Sequence, residues 1–73
     1  MTGSEFLRRL KSLGKRHGIP VRFNPERGKG SHGTVYYGSR FAILRNKSDE
    51  LKSGTLHGML EQLGLSLADL MEG

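Results

Sequence analysis

Residues Thr34-Val35-Tyr36-Tyr37-Gly38-Ser39-Arg40-Phe41-Ala42-Ile43-Leu44 place runs rich in β-branched and aromatic side chains on either side of a Gly-Ser pair. Such runs favour extended backbone, and Gly followed by a small polar residue suits a two-residue type II′ turn, so the stretch predicts a β-hairpin. With Gly38 and Ser39 as the turn, Tyr37 pairs with Arg40, Tyr36 with Phe41, Thr34 with Ile43 and His32 with Arg45. Side chains alternate along a strand, so His32, Thr34, Tyr36, Phe41, Ile43 and Arg45 share one face, and Val35, Tyr37, Ala42 and Leu44 the other. Burying His32 and Arg45 together would carry a large desolvation cost. Val35, Ala42 and Leu44 are therefore expected inward. The His32 face stays open, with aromatics beside cations where unpaired bases can stack.

On the N-terminal side, Asn24-Pro25-Glu26-Arg27-Gly28-Lys29-Gly30 reads as a loop. Ile19, Val21 and Phe23 alternate as in a short strand, which Pro20 restricts to an edge or entry position. Thr2 and Glu5 have the spacing of a capping box, and Phe6, Leu7, Leu10 and Leu13 recur at helical intervals after it. Arg8, Arg9, Lys11, Lys15 and Arg16 fill much of the remaining circumference, so this helix is amphipathic and basic. His17-Gly18 reads as its end, with His17 a cap rather than a catalyst. On the C-terminal side, Asn46–Asp49 is polar, and Leu56, Met59, Leu60 and Leu63 mark a second amphipathic helix closed by Gly64. Ser66 caps a short last helix through Met71. A helix, three strands, a helix and a short helix, each helix with one apolar face, pack most economically as an α+β sandwich. The helices then lie on one face of a three-stranded antiparallel sheet.

A chain of 73 residues holds one domain, with a small core and modest stability. It contains no cysteine, which excludes disulfides and thiolate metal sites. No apolar run approaches the ~18 residues of a membrane span, and no secretory signal is evident, so a soluble cytoplasmic protein is expected. Charge is polarised: residues 1–47 carry eleven Lys and Arg against two acids, +9, and residues 48–73 carry one against five, −4. A concentrated basic field draws a polyanion by counterion release, which puts nucleic acid first among partners.

Gly28-Lys29-Gly30-Ser31-His32-Gly33 joins glycines, a cation, a hydroxyl and an imidazole just before a strand. Glycine lets backbone approach a phosphate, Lys29 can neutralise it, Ser31 can hydrogen-bond it, and His32 alone among these exchanges a proton near neutral pH. The P-loop pattern is absent, which argues against a nucleoside triphosphate. Ser31 and His32 form no triad, since adjacent strand residues point oppositely and no acidic orienter accompanies them. The histidines lack zinc spacing and there is no carboxylate cluster for magnesium, so neither metal nor cofactor is expected. His57 reads as a surface helix residue.

Three landmarks then stand in order: Gly30-Ser31-His32 entering the hairpin, Lys52-Ser53-Gly54-Thr55-Leu56 opening the second helix, and Gln62-Leu63-Gly64-Leu65-Ser66 ending it. With the basic first helix, this order resembles the HicA family of toxin ribonucleases across nearly the whole chain. The resemblance implies a double-stranded-RNA-binding-domain-like fold, cleavage of messenger RNA, a single functional histidine at His32, and neutralisation by a HicB antitoxin. Many relatives carry a Pro-x-His element after the third strand, where this chain has Leu44-Arg45-Asn46. The candidate site is accordingly His32 as general base, with Lys29, Ser31, Arg45, Lys11, Lys15, Arg16 and Tyr36 contacting RNA. The competing expectations are an RNA-binding module without catalysis and a small scaffold for another protein. A double-stranded-RNA-binding domain presents a lysine cluster at the start of its final long helix, whereas only Lys52 stands there in this chain.

Overall fold

The computed structural model describes residues 1–72, and the side chains of residues 29–31 lie outside that description. Six elements follow one another: α1 (Gly3–His17), β1 (Val21–Glu26), β2 (Lys29–Tyr37), β3 (Arg40–Leu44), α2 (Ser53–Leu63) and α3 (Leu67–Glu72). The three strands form one antiparallel sheet in the order β1-β2-β3, so β2 is central. This is the expected α+β architecture.

The hairpin folds as its side chains dictate. Tyr37 faces Arg40, Tyr36 faces Phe41, Val35 faces Ala42 and Thr34 faces Ile43. Gly38 takes φ 61° while Ser39 keeps a negative φ. That distribution is the type II′ requirement, which explains why glycine stands first in the turn. The Gly38 amide also donates to the Pro20 carbonyl at 2.9 Å, tying the turn to the entry of β1.

Val35, Ala42 and Leu44 point inward and meet Phe6, Leu7 and Leu10 of α1, Met59, Leu60 and Leu63 of α2, and Leu70 of α3. All three helices draw on the same apolar layer: α1 contacts β1, β2 and α3, and α2 contacts β3. Helix ends are closed locally. Thr2 Oγ1 accepts from the Glu5 amide at 3.2 Å, but the Glu5 carboxylate turns along the helix to Arg9 Nε at 3.0 Å, so only half of the capping box forms. The Arg9 hydrogen bond is also the main reason the Glu5 carboxyl titrates below its ordinary range. Gly18 and Gly64 close α1 and α2, and α3 runs one residue beyond the expected Met71.

The largest departure from expectation lies between residues 24 and 33. The stretch Asn24–Gly30 is not a free loop: β1 continues to Glu26, Arg27-Gly28 makes the turn, and β2 already begins at Lys29. Pro25 is accommodated because β1 is an edge strand, where a missing amide donor is tolerated.

Candidate functional site

His32 sits inside β2 rather than in a loop before it, at an irregularity in the β1–β2 ladder. Pro25 faces Gly33 and the next residue of β1, Glu26, faces Lys29. Gly30, Ser31 and His32 are thus the excess of β2 over β1. Extra residues bend a strand and re-aim the side chains they carry. Here the result is a contact between His32 Nδ1 and Glu26 Oε2 at 3.6 Å, with 40% of the His32 side chain and 56% of the Glu26 side chain exposed. The separation is that of an ion pair, longer than a hydrogen bond.

This contact corrects the expectation that no acidic orienter accompanies the histidine. Read as a free loop, residues 24–30 gave no register for Glu26. Arg27-Gly28 taken as a hairpin turn sets Glu26 opposite Lys29, but only the irregularity that follows brings residue 32 beside it.

Along β1, Arg22 faces Tyr36 and Asn24 faces Thr34. The open face of the sheet therefore carries Arg22, Asn24, Thr34, Tyr36, Phe41 and Ile43. Phe41 and Ile43 are 58% and 53% exposed. Tyr36 and Phe41 lie with ring centroids 6.2 Å apart and planes tilted by 46°. The Arg22 guanidinium stands 5.0 Å from the Tyr36 ring centre, a cation–π geometry. Arg22 was not among the residues singled out from sequence, because its place on this face depends on the β1 register. Between the strands a depression of about 320 Å³ is lined by Asn24, Pro25, Glu26, Gly33, Thr34 and Ile43. Glu26 is shared between this depression and the His32 ring.

The other anticipated residues are dispersed. The β2–β3 ladder stops at Gly33–Leu44, so the pairing of His32 with Arg45 does not form. Arg45 lies past the end of β3, exposed, on a separate cleft with Asn46, Asp49, Lys52 and Thr55. Lys11, Lys15 and Arg16 are exposed on α1, on the helix layer, with the core between them and the open sheet face. Arg16 is engaged there, donating to the Glu72 carbonyl at 2.5 Å. The side chains of Lys29 and Ser31 lie outside the described residues. His17 lines a recess with Leu13, Ile19, Tyr37, Leu65 and Asp69, away from His32, and His57 is exposed on α2.

Gly33 has a packing role. A Cβ there would lie 2.5 Å from the Asn24 carbonyl oxygen and 2.6 Å from Phe23 Cζ. The glycine admits β1 to close packing. Among the described residues no group of three or more His, Asp and Glu side chains is placed to hold a metal ion, and no helix is long and apolar enough to cross a membrane. Compared with protein-family models, curated proteins and solved structures, the chain matches none of them.

Proposed function

We propose that the protein is a metal-independent endoribonuclease of the HicA toxin type, acting on messenger RNA in the cytoplasm and held inactive by a HicB-like antitoxin protein. The observation that carries this reading is a part-exposed imidazole set against a carboxylate, at the border of a sheet face bearing Tyr36, Phe41 and Arg22. Proton transfer needs an accessible group able to take up and release a proton, and the imidazole of His32 is part-exposed beside a carboxylate. Unpaired bases need flat apolar rings to stack on and a cation for the backbone between them, and the open face offers both.

In this reading His32 takes the proton from a ribose 2′-hydroxyl. The 2′-oxygen bonds to the adjacent phosphorus, the bond from phosphorus to the 5′-oxygen breaks, and the departing oxygen takes a proton from water. The products are a 2′,3′-cyclic phosphate and a 5′-hydroxyl, so DNA, lacking the attacking hydroxyl, is spared. Arg22 screens the charge on the phosphate oxygens. The same exposed aromatic surface suits an antitoxin, which would inhibit by covering it.

Incubating the purified protein with end-labelled RNA in EDTA tests the reading. Shortened products ending in cyclic phosphate are expected from the wild type and none from His32→Ala, whose circular dichroism stays native because the ring lies outside the core. Cleavage retained by His32→Ala removes the assignment. A salt-sensitive mobility shift without cutting would instead identify an RNA-binding module.

A further inference from the structure

Three features meet at Glu26. It is the last residue of β1, it borders the depression on the open face, and its carboxylate stands 3.6 Å from Nδ1 of His32. The β2 irregularity produces this meeting: in an uninterrupted ladder Glu26 would face His32's own position, and the three excess residues instead re-aim the ring across the strand end. The carboxylate of Glu26 has no other partner among the described ion pairs and side-chain hydrogen bonds.

We propose that Glu26 is a positioning residue for His32. Its carboxylate accepts the hydrogen of Nδ1 and thereby fixes the lone pair on Nε2, the nitrogen that faces substrate. Which ring nitrogen carries the hydrogen in a neutral imidazole is set by the hydrogen bond the other makes. A neutral histidine left to itself favours the hydrogen on Nε2, which would point a donor rather than an acceptor at the 2′-hydroxyl. Neither side chain is buried, and catalytic hydrogen bonds that are long in the free protein tighten when substrate binds. Once Nε2 has taken the proton, the carboxylate faces an imidazolium and stabilises it, which lowers the barrier for the step that creates that charge. The inference rests on His32 being the proton-transfer group, while the ring geometry it predicts is observable without any substrate.

The experiment therefore has two readouts. Long-range proton–nitrogen correlation spectra of the 15N-labelled full chain, recorded where the imidazoles are neutral, report the tautomer of each histidine. The wild type is expected to hold His32 mainly with hydrogen on Nδ1, and Glu26→Ala is expected to return it to the Nε2 form, with His17 and His57 as internal controls. A wild-type ring already in the Nε2 form, or one that Glu26→Ala leaves unchanged, overturns the proposal. In cleavage of labelled RNA, Glu26→Ala should lower kcat by roughly 10- to 100-fold with KM little changed, a share of the 10²–10⁴-fold that acid–base catalysis supplies. Glu26→Asp should recover part of it. Full activity in Glu26→Ala, alongside an inactive His32→Ala, also overturns the positioning role. A wild type that cuts no RNA sinks the ribonuclease reading alone, and the tautomer then still decides whether Glu26 governs the ring.

Discussion

The side chain that Gly33 lacks would collide with the Asn24 carbonyl oxygen and with the Phe23 ring, and neither can move freely. The first is backbone of β1; the second packs against the core and lies under Lys47 Nζ, 4.7 Å from its ring centre. Gly33→Ala should therefore cost about 1–3 kcal/mol, the usual range for overpacking. A urea midpoint indistinguishable from wild type would show that β1 can yield. The same variant should reduce cleavage, because displacing β1 carries Glu26 away from the neighbouring His32. From the sequence, this glycine is one of several in a stretch whose Lys, Ser and His chemistry suits a phosphate. What the sequence could not supply was the partner strand whose approach leaves no room for a Cβ.

At the scale of elements, α3 shows how six residues hold a place in the core. The Ser66 amide donates to Asp69 Oδ2 at 2.9 Å and the Asp69 amide donates to Ser66 Oγ at 3.1 Å, a reciprocal cap. The cap orients the helix so that Leu70 is fully buried. Hydrogen bonds from Ser66, the backbone amide foremost, hold the Asp69 carboxyl below the ordinary aspartate range. Folding therefore favours the ionised form. That contribution is present above the unfolded aspartate value and is lost as acid takes the pH down through the lowered, folded one. Denaturation midpoints followed into acid should fall less steeply for Asp69→Asn than for wild type, and parallel curves would show that the carboxylate is not coupled to folding. The cap was readable in part: Ser66 was placed correctly, while the first helix, with the same Thr-x-x-Glu spacing, completes only half of its box. The difference is Arg9, one turn along α1, which competes for the Glu5 carboxylate.

For the whole molecule, polarised charge does not become a single basic patch. Folding divides the cations of residues 1–47 between the helix layer, where Lys11, Lys15 and Arg16 stand, and the sheet, where Arg22 flanks the aromatic face. If RNA lies on the open face, the salt dependence of binding should distinguish the two groups. Arg22→Ala should reduce the slope of log K against log salt by about 0.7, one phosphate contact to a single strand. Lys11→Ala with Lys15→Ala should leave it nearly unchanged. Fluorescence titration across a salt series measures both, and the opposite ranking would place RNA on the helices.

Local patterns along the chain suffice to place the six elements and the inward face of the sheet. Helical spacing, a Gly-Ser turn and the alternation of Val35, Ala42 and Leu44 with polar or aromatic neighbours are local patterns, and local sterics and burial act on them directly. The sequence also marked His32 as the group able to exchange a proton. The company that residue keeps is set by strand pairing. The Glu26–His32 contact and the place of Arg22 beside Tyr36 follow from the register of β1 on β2, and the separation of Arg45 from the histidine follows from where the β2–β3 ladder ends. Three excess residues set that register through backbone pairing between strands, and no periodicity along the chain records it.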